Sequence, residues 1–452
     1  MTAAKPKFVE GNLFRHVAVM SLTGSVGLMA VFVAELATML FISMLARPEL
    51  TAAIGFGGTV MFFLISVGIG ISVAAGALVA VAIGRRDETA ARFANTHSTI
   101  LALVIGSIVS FAFWLFLDPL VSLLGATGEV HAQAVHFLEL TMISNPLLMV
   151  GMVGGAVLRS YGDARRSMTS TLVGAGVSFA LNPLFILGLD LGLTGAGIAT
   201  IITRLTIAVV AIWQVQRVYK SFVPTSLAAV IADLRPISRI AVPAVLAQVA
   251  TPLGYAIVTR FMAAYGEEAV AGMAITGRIT PVAFGVIFAL AGSIGPIVGQ
   301  NYGARLPERV KGAFNASMLF SALVIAVVSA LLFVLRGPIS DAFHAEGLTR
   351  EIIYLFCGPL AILWFFVAVI FVSNSVYNNL GKPGTSTWTN WLRATIGTLI
   401  PVWIGAELGG AIGVMWGQAI TGVIFGILSW WLAIVMIRKL DALQAPVDAP
   451  KK

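Results

Sequence analysis

Six residues carry chemistry that their surroundings penalise. Glu35 lies inside an apolar run from about residue 17 to 45, and Thr38, three positions on, shares its helical face. Ser178 and Asn182 sit four apart in a later apolar run, and Thr200 and Arg204 four apart in the next. A charged, unpaired carboxylate near the middle of a bilayer is costly, so it is neutralised by a proton, a cation or a guanidinium. Hydroxyl and amide oxygens beside such an acid suit a proton or a hard cation such as sodium. Glu35, Thr38, Ser178, Asn182, Thr200 and Arg204 therefore read as an ion-coupling site for H+ or Na+, with Glu35 alternating between protonated and ionised forms. The same residues admit a structural reading, in which a Glu35–Arg204 ion pair fixes the first span against the sixth.

Aromatic and amide side chains mark a second place. Trp364, Tyr377, Asn378 and Trp391 are candidates for a cavity that stacks flat, amphipathic compounds, because an aromatic face attracts a cation. Arg260 and Arg278 are expected to snorkel outward and pair with Glu267 and Glu268; lining the cavity instead, they would favour an anionic substrate. Arg393 is expected to form a buried pair or hydrogen bonds to carbonyls, and Glu139 is a weaker coupling candidate than Glu35. The five histidines have no metal-ligand spacing, so no metal is assigned. Cys357 is the single cysteine, which rules out an internal disulfide. No phosphate-binding glycine loop is present, and the chain is read as a carrier rather than an enzyme, with no cofactor beyond its coupling ion.

The elements that hold these residues follow from composition. Of the 452 residues 58% are hydrophobic and 11% charged, with a mean hydropathy of +0.96. Soluble domains carry about 25% charged residues. The solvent for most of this surface is lipid, and a net charge of +8 does not here imply a nucleic-acid partner. The sequence predicts an all-α polytopic membrane protein with twelve transmembrane helices, at about residues 17–45, 51–83, 94–117, 130–157, 167–188, 193–217, 236–264, 268–299, 312–335, 351–379, 384–405 and 409–437. Alternating crossings place most basic residues on one side, among them Lys5, Lys7, Arg85, Arg86, Arg92, Arg165, Arg166, Lys311, Lys382, Lys451 and Lys452. That side is expected to be cytoplasmic, with both termini on it.

The halves repeat. Gly76, Gly84, Arg92 and Gly162 match Gly295, Gly303, Lys311 and Gly381 at a constant offset of 219. Six spans per copy predict two pseudo-symmetric six-helix bundles: a lobe at 1–218, a cytoplasmic linker at 219–235, a second lobe at 236–437 and a cytoplasmic tail at 438–452. The spacings Gly295-x-x-x-Gly299-x-x-x-Gly303 and Gly409-x-x-x-Gly413-x-x-x-Gly417 read as close helix packing, and Gly24 and Gly27 as soft points in a first span that lacks proline.

Three landmarks in order, Gly84-Arg-Arg-Asp-Glu-Thr-Ala-Ala-Arg, Leu124-Gly-Ala-Thr-Gly-Glu-Val and Leu158-Arg-Ser-Tyr-Gly-Asp-Ala, carry a family signature. With Leu181-Asn-Pro-Leu-Phe-Ile, Gly195-Ala-Gly-Ile-Ala-Thr and Val298-Gly-Gln-Asn-Tyr-Gly-Ala-Arg, the chain resembles the multidrug and toxic compound extrusion (MATE) family from about Val17 to Met436. The resemblance implies a V-shaped pair of bundles that exports cationic, amphipathic compounds in exchange for protons or sodium ions. It also implies a coupling site on the first, fifth and sixth spans. Where the family often has Asn-x-x-x-Asp-Pro, this chain has Ser178-Phe-Ala-Leu-Asn182-Pro183; Thr200 matches a family threonine. The family's first-span aspartate falls near Thr38 or Met39, leaving Glu35 as the nearest acid, and the acids of the seventh and tenth spans are absent around Gln248 and Val367.

The expected protein is a monomeric, multi-pass antiporter of the bacterial inner membrane. Its partners are small amphipathic molecules and membrane lipid. The alternative is a flippase for a lipid-linked saccharide or other anionic lipid, in which Arg204, Arg260, Arg278 and Arg393 would hold the charged group.

Overall fold

A computed structural model describes residues 6–444. Lys5, Lys451, Lys452 and the tail from 445 onward lie outside the described residues. Every regular element among the described residues is helical. In the first half these are α1 (Leu13–Ser43), α2 (Pro48–Gly84), α3 (Glu88–Leu115), α4 (Leu117–Leu123), α5 (Gly128–Ile143), α6 (Asn145–Ser160), α7 (Ala164–Pro183) and α8 (Gly192–Tyr219). In the second they are α9 (Leu227–Ala263), α10 (Glu267–Ala283), α11 (Gly285–Gly303), α12 (Pro307–Ala342), α13 (Gly347–Leu355), α14 (Ala361–Asn379), α15 (Gly384–Ala394) and α16 (Ile396–Gln444). Short π-helical turns at Leu184–Gly188 and Phe356–Leu360 follow α7 and α13.

Nine of these stretches are long and apolar enough to cross a membrane alone, and the bent pairs α5/α6 and α10/α11, turned by 50° and 51°, add two more. The longest, Gly384–Leu440, has 57 residues. Straight, it would run roughly 85 Å, against a hydrocarbon core of about 30 Å. Instead the helix breaks inside α16, at Gly409 (φ −150°) and Gly410 (φ 57°). The chain then folds back: a Cβ added at Gly405 would lie 2.1 Å from the Gly413 carbonyl oxygen, and one at Gly417 would lie 2.4 Å from that of Pro401. The stretch is thus two antiparallel spans, which gives twelve crossings in this all-α polytopic membrane protein. Gly413 and Gly417 pack closely as their spacing predicts, whereas Gly409 belongs to the turn.

Chain contacts divide the molecule into two units. Unit 1 is built on Val26–Val245, and unit 2 on Lys7–Ser25 with the chain from Leu246 onward, so α1 and α9 each contribute to both.

In unit 1 the central helix is α2, whose small residues let neighbours approach. Ser160 Oγ donates to the Gly76 carbonyl at 2.9 Å, and Gly68 lies against Met149 and Met152. Gly27 of α1 packs against Thr171 and Met168 of α7. The helix α1 runs unbroken through Gly24 and Gly27, so these glycines serve approach rather than bending. The basic end of unit 1 grips the segment between α8 and α9. Tyr161 stacks on Tyr219 at 4.1 Å, Asn95 Nδ2 donates to the Ser221 carbonyl at 3.1 Å, and buried His97 bonds Asp233 and, at 2.7 Å, Thr225.

In unit 2 the segment before α1 is held in the same manner. The Phe8 N–H donates to Gln300 Oε1 at 2.9 Å, and its carbonyl accepts from Arg309 Nη2 at 2.8 Å. Gly426 receives Phe366, and Gly272 receives Ile352. The fourth span of each half breaks beside a proline, at Ser144-Asn145-Pro146 between α5 and α6 and at Gly358-Pro359 between α13 and α14. Proline supplies no N–H and pushes the residue before it out of the helical region.

Candidate functional site

The six ion-coupling candidates all fall in unit 1. Two contacts on either side of Glu35 hold α1 to α7: Gly27 against Thr171 below, and Phe41 edge-on to Phe179 at 6.3 Å above. The helices α7 and α8 run antiparallel, with Gly174 against Ile207 and Gly195 against the Phe185 backbone. That register sets Arg204 level with Ser178 and Thr200 level with Asn182.

Asn182 is 3% exposed, and its Nδ2 donates to the carbonyl and the hydroxyl oxygen of Ser178, both at 2.8 Å. With the amide orientation fixed by those two bonds, Oδ1 of Asn182 is buried and has no partner. The hydroxyls of Thr38 and Thr200 donate to the Ala34 and Ala196 carbonyls, each at 2.9 Å. A hydroxyl that gives its proton to its own helix keeps lone pairs for another donor or a cation. These oxygens are the donor set that a proton or a sodium ion takes.

Glu35 is exposed from the protein and forms no hydrogen bond or ion pair among the described residues. Arg204 attracts it without reaching it. The guanidinium of Arg204 is instead engaged at the α5/α6 break, where Nη1 donates to the Thr141 carbonyl at 3.0 Å and to Ser144 Oγ at 3.1 Å. The Thr141 carbonyl, which also accepts from the Ser144 N–H and hydroxyl, thus gains a charged donor from α8, which a sequence reading of Arg204 as a partner for Glu35 does not foresee. Glu139 is half-buried and unpaired among the described residues.

The substrate-cavity candidates fall in unit 2. Trp364 stacks on Phe284 at 4.4 Å with rings 7° apart. Tyr377 is fully buried, and its hydroxyl donates to the Ser429 carbonyl at 2.6 Å. Asn378 is buried, with Oδ1 accepting from Ser386 at 3.4 Å. Trp391 Nε1 donates to the Leu246 carbonyl at 2.9 Å while its ring stays half-exposed.

Neither Arg260 nor Arg278 meets the expectation of pairing with Glu267 or Glu268; both arginines are exposed, with no partner among the described residues. Glu268 is occupied elsewhere, its Oε2 accepting from the Leu348 N–H at 2.9 Å at the start of α13. Arg393 reaches only Asn390 Oδ1, at 3.4 Å, and its Nε is buried without a partner. The sequence offered no signal for His97, whose two ring nitrogens are both engaged by the segment before α9 and by α9 itself.

The model of the MatE family matches residues 25–184 and 243–403. The chain is 28% identical to the FAD transporter of Shewanella oneidensis, over 92% of this chain and 93% of that protein. It is 23% identical to the multidrug export protein MepA of Staphylococcus haemolyticus, over 97% of each. Among solved structures it superposes on a variant of VcmN, a MATE transporter of Vibrio cholerae, with a TM-score of 0.87 at 25% identity, covering 96% of this chain and 98% of that one.

Proposed function

The chain belongs to the MatE family of membrane transporters, and on that premise we propose that it is a secondary antiporter of the bacterial inner membrane that exports amphipathic organic compounds in exchange for H+ or Na+, with Glu35 as the coupling carboxylate. The observation that supports this reading is the presence of two unsatisfied groups on neighbouring helices of unit 1: a carboxylate with no partner among the described residues and the orphaned Oδ1 of buried Asn182. An unpaired acid inside a span is neutralised by what it binds. Thr38, Ser178 and Thr200 supply further oxygens, and Arg204 adds a positive charge that attracts Glu35. Ion uptake and compound binding each favour one arrangement of the carrier, and their difference in affinity between arrangements drives exchange.

In this reading the basic end faces the cytoplasm, the chain acts as a monomer, and Trp391 presents a ring to the transported compound. Trp364, Tyr377 and Asn378 shape unit 2 around it. The relatives point to organic substrates of either sign, one being named for multidrug export and another for FAD. A cationic substrate follows from the family resemblance. The second reading, an anionic substrate or a flipped anionic lipid, is favoured by the unpaired Arg260 and Arg278.

Dye accumulation in everted vesicles under separately imposed proton and sodium gradients tests the exchange. Glu35→Gln is expected to abolish gradient-driven accumulation while the protein still folds and inserts. Undiminished accumulation by that variant removes Glu35 from the coupling.

A further inference from the structure

Unit 2 shows two kinds of exposed helix face. On α12 the exposed side chains are Leu319, Leu323, Val327 and Leu331, each more than half exposed, which is what hydrocarbon solvates. On α10 the exposed positions are Glu267, Glu268, Ala271, Ala274, Gly277, Arg278 and Val282, and on α9 from Leu246 onward they include Leu246, Thr251, Leu253, Tyr255, Ala256 and Arg260. These surfaces mix small and polar residues with a few apolar ones, and a charged guanidinium within a span belongs against water or a counter-ion.

Three arginines lie on, or next in sequence to, residues along one stretch of α9. Gly254 meets α15, where an added Cβ would lie 3.4 Å from Ala394 Cα, next to Arg393. The Tyr255 hydroxyl covers α10 at Gly277, 3.1 Å from an added Cβ and next to Arg278. Arg260 follows little more than one turn along the same helix. None of the three has a carboxylate partner among the described residues, and Arg393 keeps a buried, unpartnered Nε. The acids of unit 2 sit at helix ends and turns, as Glu267, Glu268, Asp341 and Glu407 do. The unpaired intramembrane acids, Glu35 and Glu139, belong to unit 1.

Resting on the exchange reading, we propose that this face of unit 2 binds the oxyanion of an amphipathic organic anion, a carboxylate or phosphate on an aromatic body. Arg278 is the principal ligand, Arg260 and Arg393 add charge, and Tyr255 supplies a hydroxyl donor and a ring. The planar guanidinium fork matches either oxyanion with two parallel hydrogen bonds. The division of labour follows: the acid of unit 1 takes the coupling cation and the arginines of unit 2 take the cargo. A cationic dye is repelled from the second place.

Carboxyfluorescein is the anionic probe and ethidium the cationic one. Fluorescence anisotropy of carboxyfluorescein with the purified protein in neutral detergent reads binding without transport, and uptake of each dye by everted vesicles reads transport. Arg278→Gln is expected to weaken carboxyfluorescein binding roughly tenfold, with Arg278→Lys in between, and to lower the ratio of carboxyfluorescein to ethidium uptake by a similar factor. Competition by 1-naphthyl phosphate and by 1-naphthoate identifies the preferred oxyanion. Displacement by phosphatidylglycerol but by neither naphthyl compound would assign the site to lipid headgroups and overturn the proposal. Unchanged binding in Arg278→Gln, or ethidium uptake with no carboxyfluorescein binding, overturns it too and leaves antiport standing. Binding of carboxyfluorescein that depends on Arg278, with no uptake of any dye under either gradient, supports the site and overturns the exchange reading.

Discussion

Nη1 of Arg204 lies 3.0 Å from the carbonyl oxygen of Thr141, so this mid-span guanidinium of α8 tethers a broken helix and leaves Glu35 unclamped. The Thr141 carbonyl also accepts from the Ser144 N–H at 3.2 Å and from its hydroxyl at 2.7 Å, so Arg204 reinforces the break with a charged donor. A hydrogen bond from a charged group contributes about 1.5–3 kcal/mol. Arg204→Leu is therefore expected to lower stability by about that amount, read by thermal unfolding in detergent, with Arg204→Lys falling between. Glu35→Gln is expected to leave the unfolding temperature unchanged. Equal destabilisation by both would restore a structural ion pair.

Asn182 separates fold from function in the opposite sense. Its Oδ1 is buried without a partner, so Asn182→Leu removes an unsatisfied acceptor along with the two bonds that Nδ2 gives Ser178, and these effects oppose each other. Asn182→Leu is expected to move the unfolding temperature little while gradient-driven dye uptake falls about tenfold, the scale of one lost charge-assisted contact. A variant that exports at the original rate would show that the coupling ion does not use this oxygen.

Asp163 caps the start of α7 and accepts from the Arg166 N–H at 3.2 Å, from the Arg166 guanidinium and from the Tyr219 hydroxyl at 2.8 Å. Burial alone would raise its carboxyl, but the hydrogen bonds from Arg166 and Tyr219 outweigh that and hold it below the usual carboxylate range. A depressed folded value means the contribution is complete above the unfolded value, about 3.9, and is lost as pH falls through the lower folded value. Thermal unfolding of the native protein is expected to fall off below about pH 4, and Asp163→Asn to start lower and show a shallower acid limb. Parallel acid limbs would remove Asp163 from that loss.

The twelve spans were legible because hydrocarbon thickness leaves a length signature in any sequence, and the repeat because glycines at Gly76 and Gly295 or Gly162 and Gly381 solve the same contact twice. Division into units was harder to read. Sequence boundaries fall between helices, whereas contacts cut through the middle of α1 and α9, which no local pattern marks. The candidate coupling residues could be picked by cost alone, since an acid in an apolar run is conspicuous. Their partners could not, because the Thr141 carbonyl and the Ser221 carbonyl that receive Arg204 and Asn95 are main-chain groups, identical at every position in the sequence. The Arg260 and Arg278 expectation failed for a related reason: Glu268 had a backbone N–H at Leu348 to satisfy.

The return of the chain inside Gly384–Leu440 sets the number of crossings and depends on close backbone approaches, the tightest at Gly413. A Cβ at Gly413 would lie 1.9 Å from the Gly405 carbonyl oxygen and 2.7 Å from its carbon, both main-chain atoms that cannot rotate aside. Gly413→Ala is expected to cost about 3 kcal/mol or more. Gly422→Ala, on the same helix and 3.7 Å from a methyl of Val367, is expected to be neutral or stabilising by up to about 1 kcal/mol because it removes a helical glycine. The turn itself can be located by chemistry. Leu408 is 84% exposed beside Gly409, and the native thiol Cys357 is buried, so Leu408→Cys adds an accessible thiol over a low background. A membrane-impermeant maleimide is expected to label it in intact cells and to leave it unlabelled when added outside everted vesicles, where only the cytoplasmic face is reached. A thiol that stays unlabelled from both sides would place residue 408 in hydrocarbon and make the stretch a single crossing.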